Sequence, residues 1–133
     1  MVQENRLHAS NFIVPLFVME GQNNKEEISS MPGYFRYTID LIIEEAKECF
    51  KLGIKSALIF AKVEEKLKNN SGKEALNPNG LMQRTIKALK KEVPEMYLIS
   101  DVALDPYSEY GHDGIVENNQ IVNVATTGEG TLI

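Results

Sequence analysis

TIDLIIEEAKECFKLGIKSALIF, residues 38–60, sets a helical repeat directly against a strand. Ile39, Ile42, Ile43, Ala46 and Phe50 recur at helical spacing and make one apolar face. Thr38 stands where an N-cap belongs, and Asp40 follows in the first turn, where a carboxylate suits the helix dipole. Lys47 and Lys51 lie toward the other end, and Gly53 closes the helix. Residues 54–60 then read as a short apolar strand. A helix handed to a strand across one glycine is half of a β-α-β unit.

The flanks extend that pattern. Residues 12–18, Phe-Ile-Val-Pro-Leu-Phe-Val, form a nearly unbroken apolar run, as expected of a strand buried on both faces. Pro15 speaks against a central strand, because it cannot donate to the ladder. Residues 19–34 carry Gly21, Asn23, Asn24, Pro32 and Gly33 and read as a loop. Residues 62–79 are polar, with Asn69-Asn70-Ser71-Gly72 and Asn77-Pro78-Asn79 as turn signals. Long ordered connections of this kind often carry function. A second helix starts near Gly80 with Asn79 as its candidate cap; Leu81, Thr85, Ala88 and Leu89 share a face, and Pro94 stops it. Residues 96–103 read as a third strand, and residues 114–122 as a small hairpin turning at Asn118-Asn119. Residues 125–131 are small and polar and predict no structure. Strand, helix, strand, helix, strand means an α/β protein with a parallel sheet. Three strands and two helices leave sheet edges open, whereas a closed β/α barrel takes eight such units and about 250 residues. The pattern is the beginning of something larger.

Composition narrows the function classes. A chain of 133 residues suits one domain or part of one, and 43% hydrophobic residues suffice for a core. The net charge is −5 and the pI about 5.1, with no basic block, which argues against nucleic acid. The single cysteine, Cys49, excludes an internal disulfide and fits a reducing compartment. The apolar runs are too short to span a membrane, and the polar N-terminus has no signal core. A soluble cytoplasmic protein is the default expectation.

The chemistry concentrates in SDVALDPYSEYGHDGI, residues 100–115. In parallel α/β proteins ligands bind at the carboxyl ends of the strands, and Asp101 stands at the end of the third. Asp105, His112 and Asp113 follow in the loop. Such a set is a hard-cation site, an acid/base cluster, or simply the Asp, Gly, Pro and Ser of ordinary turns; its spacing matches no general metal template. His8 reads as solvated, and Cys49 as a small buried hydrophobe with no base beside it. Lys62, Lys66, Lys68 and Lys73 read as a solvated loop, since an active lysine needs an apolar pocket. Tyr34, Phe35 and Tyr37 read as packing, with Arg36 between them in reach of an anion.

Taken in order, five segments of the chain resemble the porphobilinogen synthase (δ-aminolevulinic acid dehydratase) family. They are IVPLFVMEG at 13–21, EEISSMPG at 26–33, LGIK at 52–55, EALNPNGL at 74–81, and SDVALDPY with GHDG at 100–107 and 111–114. The resemblance implies an incomplete TIM (β/α)8 barrel: its first three strands and two helices, with the small hairpin. It implies an enzyme, a lyase, that condenses two 5-aminolevulinate molecules into porphobilinogen in tetrapyrrole and heme biosynthesis. It implies a cytoplasmic homo-octamer, with neither nucleic acid nor membrane as partner. Zinc-dependent members carry three cysteines where this chain has Ala103, Asp105 and Asp113. The resemblance therefore points to the zinc-independent branch, with Mg²⁺ or a monovalent cation, Asp105 and Asp113 at the metal positions, and Asp101 in a supporting catalytic role in proton transfer.

The chain also departs from the family. The two Schiff-base lysines belong to later barrel strands, and no lysine here matches either motif. On this reading residues 1–11 are a remnant of an N-terminal arm, 12–123 the first part of the barrel, and 124–133 a tail that leaves the family pattern. The chain is expected to be about the first third of the enzyme and inactive alone. The alternative is a non-catalytic fragment that oligomerises or swaps through its open edges. A phosphoacceptor receiver domain is a further reading, but too little chain follows Asp101 to complete one.

Overall fold

The structure, a computed structural model, describes residues 5–111 and 113–122. The tail at 124–133 and His112 lie outside these residues, as do residues 1–4 and Asn123. The elements are β1 (Ile13–Met19), β2 (Lys25–Glu27), β3 (Phe35–Tyr37), α1 (Ile39–Lys51), β4 (Ser56–Lys62), α2 (Leu81–Glu92), β5 (Tyr97–Ser100), β6 (Val116–Glu117) and β7 (Gln120–Ile121). Short 3-10 turns add Ala9–Asn11, Glu65–Leu67, Lys73–Leu76 and Asp105–Tyr107.

Five strands form one sheet in the order β2-β3-β1-β4-β5, and β6 pairs with β7. All pairings in the main sheet are parallel except β2 with β3. The sheet is open, so the barrel expected from the sequence is present as an unclosed arc. β1 and β4 pair along their whole length, Ile13 opposite Ser56 through Met19 opposite Lys62. On its other side β1 meets β3 only at Phe17 and Val18. Pro15 lies in the part of β1 with one partner, where a missing N–H need cost no ladder bond.

One face of the sheet is packed. Leu16 and Val18 of β1 and Ala57 and Ile59 of β4 meet Ile42, Ala46 and Cys49 of α1 and Leu81, Met82 and Leu89 of α2. The α1 residues fall three and four apart, as a core-facing stripe must. The opposite face is partly open. Phe17 and Phe60, paired in register, stack there with ring centroids 5.2 Å apart. The strand expected to be buried on both faces is thus covered on one.

Two caps differ from expectation. Thr38 precedes α1, but its hydroxyl makes no cap bond. It donates to the Asn24 carbonyl at 3.1 Å and accepts the Asn24 N–H at 3.2 Å, tying the loop to the helix start. Gly80, not Asn79, caps α2, while the Asn79 carbonyl accepts from Arg84 Nε at 2.9 Å. The stretch read as a loop contains β2 and leads into β3. All three β2 residues are exposed, so no apolar alternation announces them; Glu26 opposite Arg36 supplies an ion pair at 3.2 Å instead. The hairpin forms where expected, with positive φ at Asn118 (51°) and Asn119 (61°), as its tight turn requires.

Candidate functional site

The carboxyl ends of β1, β4 and β5 open onto a cleft of about 440 Å³. Phe17 and Phe60 form its apolar floor; Arg36, Lys62, Lys68, Asp101 and Asp105 bring charge to its walls. Asp101 directly follows β5, and Asp105 begins the 3-10 turn Asp105–Tyr107. Two of the three aspartates singled out from sequence, Asp101 and Asp105, therefore share one cleft.

Asp113 does not line that cleft. Its Oδ1 accepts two backbone N–H groups, from Leu104 at 2.7 Å and from Asp105 at 2.9 Å. The Asp105 carboxyl is pushed above the usual aspartate range, first by partial burial, then by the negative charges of Asp113 and Asp101; Lys68 pulls weakly the other way. Among the described residues, no three His, Cys, Asp or Glu side chains gather as a metal-binding group.

The cations that line the cleft, Arg36, Lys62 and Lys68, are already paired. Glu26 receives Arg36 at 3.2 Å and Lys62 at 3.1 Å, which holds its carboxyl below the usual range, chiefly through the Lys62 bond. Lys68 pairs with Glu65 at 2.6 Å and Lys66 with Glu64 at 2.7 Å. Cys49 lies in the sheet–helix core, its thiol pushed up by burial and then by Glu45 and Glu48. His8 is exposed and bonds Ser10.

The long connection after β4 is ordered against the loop after β5. Val63, Ala75, Leu104 and Tyr107 are buried together, with Leu67 against them. The Asn69 N–H donates to the Tyr107 carbonyl at 3.1 Å. Asn70 grips Val116 twice: its Nδ2 donates to the carbonyl at 2.7 Å and its Oδ1 accepts the N–H at 2.8 Å. Gly72 takes a left-handed φ of +62°, and a side chain there would meet Leu104 at 3.2 Å. Sequence reading marked Asn69-Asn70-Ser71-Gly72 only as a turn. Its asparagines bond residues dozens of positions away, and no local spacing signals that.

The comparisons agree with this geometry. The family model for delta-aminolevulinic acid dehydratase matches residues 1–130. The delta-aminolevulinic acid dehydratase of Bradyrhizobium diazoefficiens is 41% identical over 126 residues, 95% of this chain and 36% of that protein. That of Bacillus subtilis is 40% identical over 123 residues, 92% of this chain and 37% of that protein. A crystal structure of the Toxoplasma gondii ME49 enzyme, solved with its reaction product porphobilinogen, superposes with a TM-score of 0.93 at 42% identity. That match covers 97% of this chain and 37% of the other. The chain thus spans little more than a third of the length of these relatives, and by its sequence and its fold it belongs to the delta-aminolevulinic acid dehydratase family.

Proposed function

We propose that this chain supplies the first part of the barrel of a porphobilinogen synthase, which condenses two 5-aminolevulinate molecules into porphobilinogen with loss of water. The carrying observation is the superposition on the product-bound enzyme at 42% identity, with Asp101 just after β5 and Asp105 in the following loop on one cleft. In this reading residues 1–11 are an arm remnant, 12–123 barrel, and 124–133 a departing tail. Asp101 moves a proton at the cleft wall. The Schiff-base lysines come from later strands. Lys62, half exposed and paired with Glu26, lacks the apolar pocket such a lysine needs.

The donor set supports the zinc-independent branch. Ala103, Asp105 and Asp113 offer no thiolate, so a soft four-ligand zinc site has no basis in this loop. Mg²⁺, which keeps several waters and takes one or two carboxylates, or a monovalent cation, fits the oxygens of Asp105 and Asp101 better. Bound there, it would supply positive charge beside the substrate. Asp113, the other family position, does not line the cleft and has one oxygen committed to two amides. The same reading makes the complete enzyme a cytoplasmic homo-octamer. Among the described residues no helix is long and apolar enough to cross a membrane. Relatives in Arabidopsis thaliana and Glycine max are named chloroplastic, so the compartment varies among them.

The test is a chimera in which residues 5–122 replace their counterpart in the Bacillus subtilis relative. It is expected to form porphobilinogen, and Asp101→Ala within it to lower kcat by about 10²-fold or more. A chimera that assembles but forms no product overturns the assignment. The 133-residue chain alone is expected to form none. A second reading, a non-catalytic fragment that swaps or self-associates, is favoured by the apolar β5 edge, where Tyr97 is 72% and Ile99 41% exposed. Sedimentation of the chain as a cooperatively folding monomer removes it.

A further inference from the structure

The loop after β5 runs about twenty residues before its hairpin closes, yet little of it bonds in a regular ladder. Two side chains take the place of backbone partners. Asp113 satisfies the N–H groups of Leu104 and Asp105, which open the 3-10 turn Asp105–Tyr107. No side chain of Leu104, the residue at its cap, performs that task. The bonds are short and charge-assisted, the stronger class of side-chain-to-backbone bond. They reach back eight and nine residues, so they fix a loop and not a local turn. Leu104 is thereby pinned in the small core, 6% exposed, while Asp105 is directed to the cleft.

Asn70 does the same for the far end of the segment. Its amide presents one donor and one acceptor to Val116, as a neighbouring strand would. The hairpin that Asn70 holds packs back on Gly114, where a Cβ would lie 2.6 Å from Ile121 Cγ2. The segment from Leu104 to the hairpin is therefore gripped at both ends by polar side chains.

We propose that Asp113 and Asn70 are positioning residues that hold Asp105 at the mouth of the cleft, with Asp113 acting as a loop clasp and not as a cation ligand. What Asp105 is held for rests on the porphobilinogen synthase reading; the clasp itself does not, and it is tested without turnover.

Backbone amide exchange by NMR on the full 133-residue chain provides the test. Asp113→Asn keeps an acceptor oxygen and removes the charge a cation ligand needs. It is expected to leave Leu104 and Asp105 slowly exchanging, in the presence or absence of millimolar Mg²⁺. Asp113→Ala is expected to speed both amides about tenfold or more while β1 and β4 amides stay unchanged. Asn70→Ala is expected to release Val116 in the same way. An Asp113→Asn variant as unprotected as Asp113→Ala overturns the clasp. So do an Asp113→Ala variant that keeps both amides slow and slow amides in Asp113→Asn whose response to Mg²⁺ in the parent chain is lost. Unchanged Val116 exchange in Asn70→Ala removes Asn70 from the proposal.

Discussion

The sheet–helix body and the rim above it are held together by different physics. The body buries twelve residues from β1, β4, the two helices and their flanks in one cluster. Among the described residues, the apolar cluster of the rim holds four, Val63, Ala75, Leu104 and Tyr107. What the rim lacks in apolar area it replaces with directed bonds from Asn69, Asn70 and Asp113. Apolar burial is non-directional and tolerates small shifts; hydrogen bonds to backbone groups fix position. A body needs cohesion, and a site needs placement, so the split matches the tasks.

The contrast breaks first, and hardest, in the body. Leu89 is fully buried between sheet and helices, and Leu89→Ala is expected to cost about 2–5 kcal/mol of global stability in denaturant unfolding. An equal loss confined to the rim would show that the two regions are not separable. Leu104→Ala is expected to cost about 2 kcal/mol, read as faster exchange in residues 101–122 with the β1 and β4 amides little changed. If it lowers core protection as much as Leu89→Ala does, body and rim unfold as one unit.

The smallest effect is electrostatic. Glu26 is exposed and its carboxyl is lowered, first by the Lys62 hydrogen bond and then by its charge. A lowered folded value means the ionised form is favoured in the folded state. The contribution is therefore present above the unfolded value and lost as pH falls through the folded one. Glu26→Gln is expected to flatten the acid side of the Tm–pH profile slightly, without changing Tm near neutrality by more than a degree or so, about what an exposed pair contributes. A large loss at neutral pH would mean that the Arg36–Glu26–Lys62 group is part of the cohesion of the molecule.

Legibility followed the same division. The body could be read because apolar residues repeat at the period of each element: α1, β4 and α2 fall where Ile42, Ala46, Ile59 and Leu89 demand. β2 could not, because Lys25, Glu26 and Glu27 bury nothing and pair through charge and backbone. The caps were half legible. Thr38 holds its place at the start of α1 but turns its hydroxyl to Asn24, a residue fourteen positions earlier. In the rim, Asp101 and Asp105 were found by their place after the third strand. The loop that carries Asp105 is tied down by Asn69 to Tyr107 and by Asn70 to Val116, pairs that sequence reading had no reason to join.

Cys49 gives this molecule a clock. It is the single thiol of the chain, 8% exposed against the sheet, and burial raises it further from the reactive thiolate. Packed in the cluster α1 shares with β1 and β4, it is largely shielded from a reagent in solution until α1 lifts. Its alkylation rate therefore counts openings of the body and ignores those of the rim, which holds no cysteine. One native atom, with no label added, timestamps the stronger half of the fold.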